Sequence, residues 1–421
     1  MECAPTTAND LPGALLGGGA AGRLRMLTFT SLYPSTARPR HGIFVETRLD
    51  HLLRHCAVDV RVVAPVRWFP FASPVFGGYA AFAATPREET RLQGVPVSYP
   101  RYLMIPKLGV ARQPDRMARA ALRELMRWRR SGWQPDLIDS HYLYPDGVAA
   151  ALLADSLRVP FVMTARGSDV NVLARLPGPG RRIAEAARRA AAIITVSRPL
   201  RDALVALGVD ASKIVVLRNG VDLDVFGLEN QRESRVRLGL PVTGTIAACV
   251  GNLVPEKGQS LAIEALAHVP ELRLVIVGDG PLRGDLSVLA RRLGVGDRVI
   301  FVPAMPQHAL RHLYASADVL LLTSTREGWP NVVLEAMACG TPVVGVDVGA
   351  MKDMLGGARI GRVLEHRDPV GLAAAITDVC RSPPTRAVVH AHAATFDWAS
   401  VSHEQWRIFS RAVAAGSIQA H

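Results

Sequence analysis

The chain has few cysteines and no long hydrophobic run among its 421 residues. Its five cysteines lie far apart and form no C-x-x-C pair, which argues against a disulfide scaffold and against a structural zinc site. No apolar stretch approaches the ~18 residues that a membrane-spanning helix needs. We therefore expect a protein of the reducing cytoplasm without a transmembrane helix.

The composition excludes a mostly disordered chain, because 49% of the residues are hydrophobic. At roughly 100 to 200 residues per domain, the length predicts two or three domains with separate cores. Residues 1–22 are rich in Ala and Gly and lack a basic start before their short apolar stretch. This segment is predicted to be a flexible tail rather than a signal peptide.

Positive charge is concentrated in one half of the chain. Residues 1–240 contain 33 Lys and Arg against 21 Asp and Glu, a net charge of +12, whereas residues 241–421 contain 16 of each kind. The asymmetry predicts that the first half meets a nucleic acid, an acidic membrane surface or a phosphorylated substrate. The sequence carries no helix-turn-helix, zinc or RNA-binding signature, so nucleic acid is the least favoured of these partners.

Short β-branched runs alternate with longer segments rich in Ala, Leu and Arg, a pattern typical of βαβ units around parallel sheets. Strands are predicted at 25–30, 59–64, 137–140, 161–164, 193–196 and 214–217, then at 246–250, 273–277, 299–302, 319–322 and 342–346. The break between the two series predicts an α/β protein with two doubly wound domains that face each other. Ligands of such sheets bind beyond the carboxyl ends of the strands, so the shared cleft is the expected active site.

An aromatic segment, residues 68–82, follows the second predicted strand. It contains six of the 24 aromatic residues, among them Trp68, Phe69 and Phe71, and is interrupted by prolines and glycines. It is either a buried hydrophobic loop or a loop that faces lipid or an acceptor.

Arginines recur at helical spacing further along the first half, at Arg112, Arg116, Arg119, Arg123 and Arg127. A basic amphipathic helix of this kind can lie on an anionic membrane, where each Lys or Arg contributes about 1 kcal/mol. The alternative is an ordinary solvated helix face. Because the stripe and the aromatic segment share one predicted domain, the membrane interpretation gains support.

The strongest chemical signal lies in residues 324–344. A predicted strand ends in a loop that contains Glu327 and Gly328, Pro330 then suits the first turn of a helix, and a Cys-Gly pair stops that helix. The N-terminus of such a helix presents free N–H groups and the positive end of a dipole, which suits a diphosphate. Glu335 points inward one turn inside the helix. Two carboxylates beside a phosphate site suit hydrogen bonds to sugar hydroxyls.

The spacing of Glu327 and Glu335 resembles the E-x7-E motif of family four, retaining glycosyltransferases of the GT-B fold. Segments 218–222, 250–258 and 277–281 also resemble motifs of that family. In the first half, segments 40–46, 141–147 and 164–169 are similar to the branch that builds teichuronic acid, colanic acid and other extracellular polysaccharides.

The resemblance implies roles for individual residues. Glu335 is expected to bind the ribose hydroxyls of a nucleotide, Glu327 the hydroxyls of the donor sugar, and Lys257 the diphosphate, whose charge grows as the leaving group departs. His141, at the end of a first-domain strand, is expected to face the cleft and contact the donor sugar near the reacting carbon. The expected donor contacts also include Gly42, Arg166, Asn252, Gly328, Asn331 and Val332.

The chain departs from the family at two of these positions. An arginine usually stands where this chain has Asn252, and Arg326 or Arg166 could replace that cation. Arg166 stands where many members have histidine; with Asp169 it is expected to orient the donor or the acceptor. Gly42 is expected to let the loop after the first strand approach the diphosphate closely.

The family transfers the sugar with retention, and the leaving phosphate helps to deprotonate the acceptor on the same face. A retaining glycosidase instead holds two carboxylates across the bond, whereas Glu327 and Glu335 belong to one predicted domain. Residues 222–224 form a D-x-D tripeptide, the metal signature of another glycosyltransferase architecture. Because it follows Asn-Gly-Val rather than a strand end, it is predicted to be a turn, and neither metal nor other cofactor is expected.

The sequence thus predicts a metal-independent retaining glycosyltransferase that moves a sugar from a nucleotide-diphosphate sugar to a lipid-linked or polysaccharide acceptor. Residues 23–226 are expected to bind the acceptor, 227–243 to form a linker, 244–395 to bind the donor, and 396–421 to form a helix that crosses back. We expect peripheral contact with anionic lipid at the inner face of the cytoplasmic membrane. Two alternatives stay open: a sugar-nucleotide epimerase or phosphorylase of the same fold, and a non-catalytic binder or scaffold.

Overall fold

The structure, a computed structural model, describes residues 23–104, 110–357 and 359–418. The predicted tail, residues 1–22, and the last three residues of the predicted C-terminal helix lie outside the described residues. Within these ranges, no helix is both long enough and apolar enough to span a bilayer.

Two large sheets with helices on both faces, and a small two-stranded sheet, make up the described part of the chain. The strands of the first half are β1 (Leu24–Phe29), β2 (Val58–Val63), β3 (Val66–Arg67), β4 (Glu88–Thr90), β5 (Pro96–Ser98), β6 (Arg101–Tyr102), β7 (Leu137–His141), β8 (Phe161–Ala165), β9 (Ala192–Thr195) and β10 (Ile214–Val216). Those of the second half are β11 (Thr245–Val250), β12 (Leu272–Val277), β13 (Val299–Val302), β14 (Val319–Leu322), β15 (Val343–Val346) and β16 (Gly361–Leu364).

The helices alternate with these strands along the chain. Those of the first half are α1 (Ile43–His55), α2 (Gly78–Ala84), α3 (Gln113–Arg130), α4 (Val148–Leu157), α5 (Ser168–Asn171), α6 (Pro177–Arg189) and α7 (Arg198–Ala206). Those that follow are α8 (Gln231–Arg237), α9 (Gln259–Leu266), α10 (Arg283–Arg292), α11 (Gln307–Ser316), α12 (Asn331–Ala338), α13 (Met351–Leu355), α14 (Pro369–Arg381), α15 (Arg386–Ala393) and α16 (Trp398–Ile418).

The first sheet has the order β10-β9-β8-β7-β1-β2-β5-β4 and is parallel except for β4, which pairs antiparallel with β5. The second has the order β13-β12-β11-β14-β15-β16, with every pairing parallel. The central strands are buried on both faces because helices cover both sides, which explains their continuous apolar sequences. The predicted α/β class with two doubly wound domains is confirmed.

The order of the strands reverses between β7 and β1 in one sheet and between β11 and β14 in the other. Loops that leave the carboxyl ends of these strands diverge and open a crevice at each reversal. The loops after β1, β7 and β8 therefore face those after β11, β12 and β14 across the cleft.

The C-terminal helix returns to the first domain. On α16, Ile408 and Phe409 are buried with Leu49 and Leu52 of α1 in one hydrophobic cluster. The chain crosses between the domains twice, and the two crossings lie side by side, because the amide of Val221 donates to the carbonyl of Phe396 at 2.9 Å.

The aromatic segment is exposed, so the buried-loop alternative is wrong. Trp68 and Phe71 keep 51% and 55% of their surface accessible. The Phe71 ring stacks on Phe76 at 5.1 Å and lies 6.1 Å from Phe69, so these three rings contact one another. Phe82, at the end of the segment, packs against the domain core. Because prolines and glycines interrupt the segment, it forms only a 3₁₀ turn, Pro74–Phe76, and the short helix α2, which buries Ala80 alone.

Helix α3 carries the arginine stripe, and its apolar side belongs to the domain core. Its Met117, Leu125 and Trp128 are buried. On the opposite side, Arg119 and Arg123 are exposed. The other three arginines have local roles: Arg112 precedes the first turn, Arg116 donates to the carbonyl of Leu103 at 3.0 Å, and Arg127 pairs with Glu88 and Glu124. Only the basic side of α3 can meet a partner.

Candidate active site

The loop between β14 and α12 presents the Glu327 carboxylate at the cleft. Its Oε1 accepts a hydrogen bond from Lys257 Nζ at 2.7 Å and one from Ser324 Oγ at 2.6 Å. Lys257 ends a short turn after β11, and its aliphatic stem lies over Gly251. The predicted sugar-binding carboxylate and the predicted phosphate-binding ammonium thus form one ion pair.

Helix α12 begins at Asn331, with Pro330 immediately before the helix rather than in its first turn. Asn331 and Val332 are half-buried at this N-terminus, and Gly328 is buried in the preceding loop. The first turn of α12 therefore directs backbone N–H groups toward the cleft.

Glu335 lies one turn inside α12 and is buried. Its Oε2 accepts a hydrogen bond from the hydroxyl of Tyr314 at 2.8 Å. Burial raises the pKa of Glu335 to about 7, against the opposing effect of the Tyr314 hydrogen bond. A carboxyl group of this kind can accept from, or donate to, a ligand hydroxyl near neutral pH.

The two domains touch at glycine backbones. A side-chain carbon added to Gly328 would lie 2.0 Å from the carbonyl oxygen of Arg166, and one added to Gly167 would lie 3.2 Å from the amide nitrogen of Gly328. The loops after β8 and β14 therefore meet without room for a methyl group, and the structure is that of a closed cleft.

His141 is the last residue of β7, but it is only 2% exposed and both ring nitrogens have protein partners. Nε2 lies 3.0 Å from Oδ2 of Asp139, and Nδ1 accepts from Arg166 Nη2 at 2.6 Å. In this closed state the ring of His141 thus belongs to a hydrogen-bond network of the first domain, and its contact with the donor sugar stays a prediction. Desolvation is the cause that lowers the pKa of His141 most.

Arg166 joins a polar cluster that the sequence did not predict. Its Nη1 donates to Oδ1 of Asn219 at 3.3 Å, and the buried Arg48 donates to the same oxygen at 3.1 Å. The amide of Asn219 then donates to Oδ1 of Asn331 at 3.0 Å. Hydrogen bonds thus run from β7 of the first domain to the start of α12 in the second. Desolvation lowers the pKa of Arg166 to about 9.

Asp169 is fully buried and bonds to backbone amides. Its carboxylate accepts the backbone N–H groups of Leu143, Arg166 and Gly167, at 2.9, 3.1 and 2.7 Å. It therefore fixes the loops after β7 and β8.

Gly42 precedes α1 with φ +70°, and a side-chain carbon there would lie 2.2 Å from the carbonyl of Leu32. Both the left-handed backbone and the close approach require glycine at this turn.

Positive charge near the expected diphosphate site is sparse at Asn252 and paired elsewhere. Asn252 is exposed and brings no charge, and Arg326 is held by Glu256 at 3.1 Å. From the first domain, Arg40 reaches across to Asp279 at 2.9 Å.

Asp222 of the D-x-D tripeptide accepts a hydrogen bond from the backbone amide of Asp224 at 3.0 Å, as a turn residue does.

Several members of the cluster carried no specific signal in the sequence. Asp139 and His141 are two apart on one strand, so alternation places both on the same face, which could have paired them. Arg48 and Asn219 come from distant segments, and only the folded chain brings them together.

Two family models match the chain. The one described as Glycosyltransferase Family 4 covers residues 45–225, and the one described as Glycosyl transferases group 1 covers residues 230–395. A candidate teichuronic acid biosynthesis glycosyltransferase of Bacillus subtilis is 36% identical over 344 residues, which span 79% of this chain and 83% of that protein.

Solved structures share the fold. Sucrose-phosphate synthase from Thermosynechococcus elongatus superposes with a TM-score of 0.74 at 19% identity, over 93% of this chain and all of that one. The Anabaena protein HepE in complex with UDP-glucose gives a TM-score of 0.67 at 20% identity, over 94% of this chain and 99% of that one. With both halves matched by glycosyltransferase models, the chain belongs to the group 1 glycosyltransferases of family 4 and has their GT-B fold.

Proposed function

We propose that this glycosyltransferase is retaining and metal-independent, and that it uses a nucleotide-diphosphate sugar. The observation that carries the proposal is the Lys257–Glu327 ion pair beside the N-terminus of α12, closed by the Arg166–Gly167 backbone opposite. An ammonium and a helix N-terminus together suit a diphosphate, and the carboxylate suits sugar hydroxyls. HepE, which shares the fold, has been crystallised with UDP-glucose.

The reaction breaks the bond between the anomeric carbon and the diphosphate oxygen. A new bond forms on the same face between that carbon and an acceptor hydroxyl oxygen, and the acceptor proton passes to the departing diphosphate. Lys257 and the α12 N–H groups stabilise the charge that grows on the leaving group. Closure of the cleft excludes water that could otherwise accept the sugar.

The acceptor in this proposal is lipid-linked or a polysaccharide, made for the cell surface. Support comes from the similarity to the Bacillus subtilis protein, a candidate glycosyltransferase of teichuronic acid biosynthesis. The exposed rings of the aromatic segment and the basic side of α3 supply the two features of a peripheral contact with an anionic membrane. This contact would hold the first domain at the inner leaflet.

Binding is tested first, with purified protein, UDP, GDP, ADP and their common sugars, without and with a chelator. A ligand that binds only the folded state, at ~100 times its dissociation constant, adds about 2.7 kcal/mol to the free energy of unfolding. We expect one nucleotide to raise the melting temperature. No response to any nucleotide contradicts the donor assignment, and a response that the chelator removes contradicts metal independence.

Transfer is then measured with that donor and membrane lipid extract, using Glu327→Gln and the matched control Glu256→Gln. Glu256 is an exposed carboxylate of the adjacent loop, paired with Arg326. We expect Glu327→Gln to lose on the order of 10²–10³ in kcat and Glu256→Gln to stay near wild type. NMR of the product should show the anomeric configuration of the donor; an inverted product contradicts retention. Nucleotide binding without turnover would favour the scaffold alternative.

A further inference from the structure

Arg40 makes an ion pair from one domain to the other. It lies in the loop between β1 and α1, and its Nη2 is 2.9 Å from Oδ2 of Asp279, which follows β12 in the second domain. The two side chains are 56% and 54% exposed. An exposed pair of this kind is weak, so either partner can exchange its counterion at little cost.

Asp279 belongs to a loop that packs on the expected diphosphate site. Its carbonyl accepts the amide of Leu253 at 2.9 Å. A side-chain carbon on the preceding Gly278 would lie 1.9 Å from the carbonyl oxygen of Gly251, over which the Lys257 stem lies. Arg40 is therefore held at the edge of the loop that carries both Asn252 and Lys257.

Three cations of the second domain near this cleft have their partners within that same domain. Lys257 pairs with Glu327, and Arg326 pairs with Glu256. The Arg283 guanidinium lies 5.4 Å above the ring of Phe301. A nucleoside diphosphate carries several negative charges, and the second domain offers it Lys257 but a neutral side chain at Asn252.

We propose that Arg40 exchanges Asp279 for the donor diphosphate and supplies, from the first domain, the second cation of that site. This inference rests on the proposed function. A guanidinium binds phosphate oxygens through two parallel hydrogen bonds, so the exchange replaces a single solvent-screened contact with a stronger one. Donor binding would then also favour the closed cleft, because the ligand is held by both domains.

The test measures dissociation constants of UDP, GDP and ADP and of the matching monophosphates by calorimetry, in wild type, Arg40→Ala and Arg54→Ala. Arg54 is a matched control, since it is an exposed arginine of the first domain that pairs with Asp50. We expect Arg40→Ala to weaken the best diphosphate about tenfold, to leave its monophosphate within about twofold, and Arg54→Ala to change neither.

A second pair of variants separates a phosphate ligand from a simple bridge between domains. If Arg40 binds the diphosphate, Asp279→Asn frees it and strengthens diphosphate binding severalfold. That gain should vanish in the double variant Arg40→Ala/Asp279→Asn, because the two positions are coupled through Arg40. If the pair only holds the domains together, Asp279→Asn weakens binding as Arg40→Ala does, and the inference is overturned.

The two proposals can fail separately. Absence of diphosphate binding in wild type overturns the proposed function and the inference with it. Tight diphosphate binding whose preference over the monophosphate survives Arg40→Ala overturns the role of Arg40 alone.

Discussion

Arg166 donates a hydrogen bond from Nη2 to Nδ1 of His141 across 2.6 Å. A guanidinium can only donate, so Nδ1 of the neutral ring carries no proton, and Nε2–H points to Asp139 at 3.0 Å. Burial lowers the pKa of His141, Asp139 opposes that effect, and the charge of Arg166 adds to it. In this closed state, His141 is a neutral ring in one tautomer rather than an available acid or base.

Arg166→Met should free the imidazole of His141 from its hydrogen bond at Nδ1. Loss of the guanidinium removes a charge that lowers the pKa of His141, so this pKa should rise and the tautomer should no longer be fixed. ¹⁵N NMR of the imidazole nitrogens across a pH titration measures both effects. Arg175→Met, an exposed position of the same domain, is the control. A wild-type His141 that titrates at the ordinary histidine value would contradict the assignment.

Gly328→Ala should impair transfer without unfolding the protein. Its methyl group would lie 2.0 Å from the Arg166 carbonyl, and the domains can relieve that overlap only by separating. Misplacement by about 1 Å can cost on the order of 10² in rate, so we expect a loss of that size in kcat with little change in melting temperature. Gly284→Ala, where nothing lies within 4 Å, should keep its rate. Equal rates for the two variants would show that this contact is not needed in catalysis.

Glu335 should make stability depend on pH. Burial raises its pKa from 4.5 to about 7, so between these values the folded protein keeps a proton that the unfolded chain releases. The free energy of unfolding therefore falls with rising pH across this window, by up to about 3 kcal/mol from this group.

Glu335→Gln removes that dependence while keeping an acceptor for Tyr314. The stability difference between variant and wild type should grow from about pH 4.5 and become constant above about 7. Denaturant unfolding at a series of pH values measures it, with the exposed Glu271→Gln as control. A difference that does not change with pH would mean that Glu335 is ionised throughout.

Anionic membrane binding should depend on two surfaces of the first domain. We expect Arg119→Glu/Arg123→Glu to weaken association with vesicles that contain anionic lipid by about 1 kcal/mol or more per site. Trp68→Ser/Phe71→Ser should weaken it even at high salt, because ring insertion is not screened. Arg291→Glu/Arg292→Glu makes the same charge change on the second domain and should have little effect. If sedimentation is unchanged in both first-domain variants, the membrane contact is contradicted and the arginine stripe is an ordinary solvated helix face.

The predicted strands all exist, with ends within one residue of those observed. Their continuous β-branched sequences reflect burial on both faces of a parallel sheet, which is a local signal. The two-residue pair Val66–Arg67 and Arg101–Tyr102 was not predicted, since strands so short are defined by their partner. The edge strand Gly361–Leu364 was missed for a related reason, because it is less buried and less apolar.

The part of the candidate site that could be predicted is the part formed by one contiguous segment of the sequence. Glu327 and Glu335 lie on a single loop and helix, so their placement follows from local structure. The contact of Arg166 with the Asp139–His141 pair depends on how two strands pair and which rotamers fit, and no spacing in the sequence encodes that contact. Arg48 lies in a helix rich in charged residues that looks solvated in sequence, yet the helix is covered by α16.

The paired crossings at Val221 and Phe396 constrain how the cleft can open. With a single covalent link, the second domain could rotate about any axis relative to the first. Two chain segments that are hydrogen-bonded side by side permit bending about one axis but resist torsion. The cleft should therefore open and close by rotation about a single hinge axis. The Arg166 carbonyl would return to Gly328 in the same alignment at each turnover, without a search over orientations.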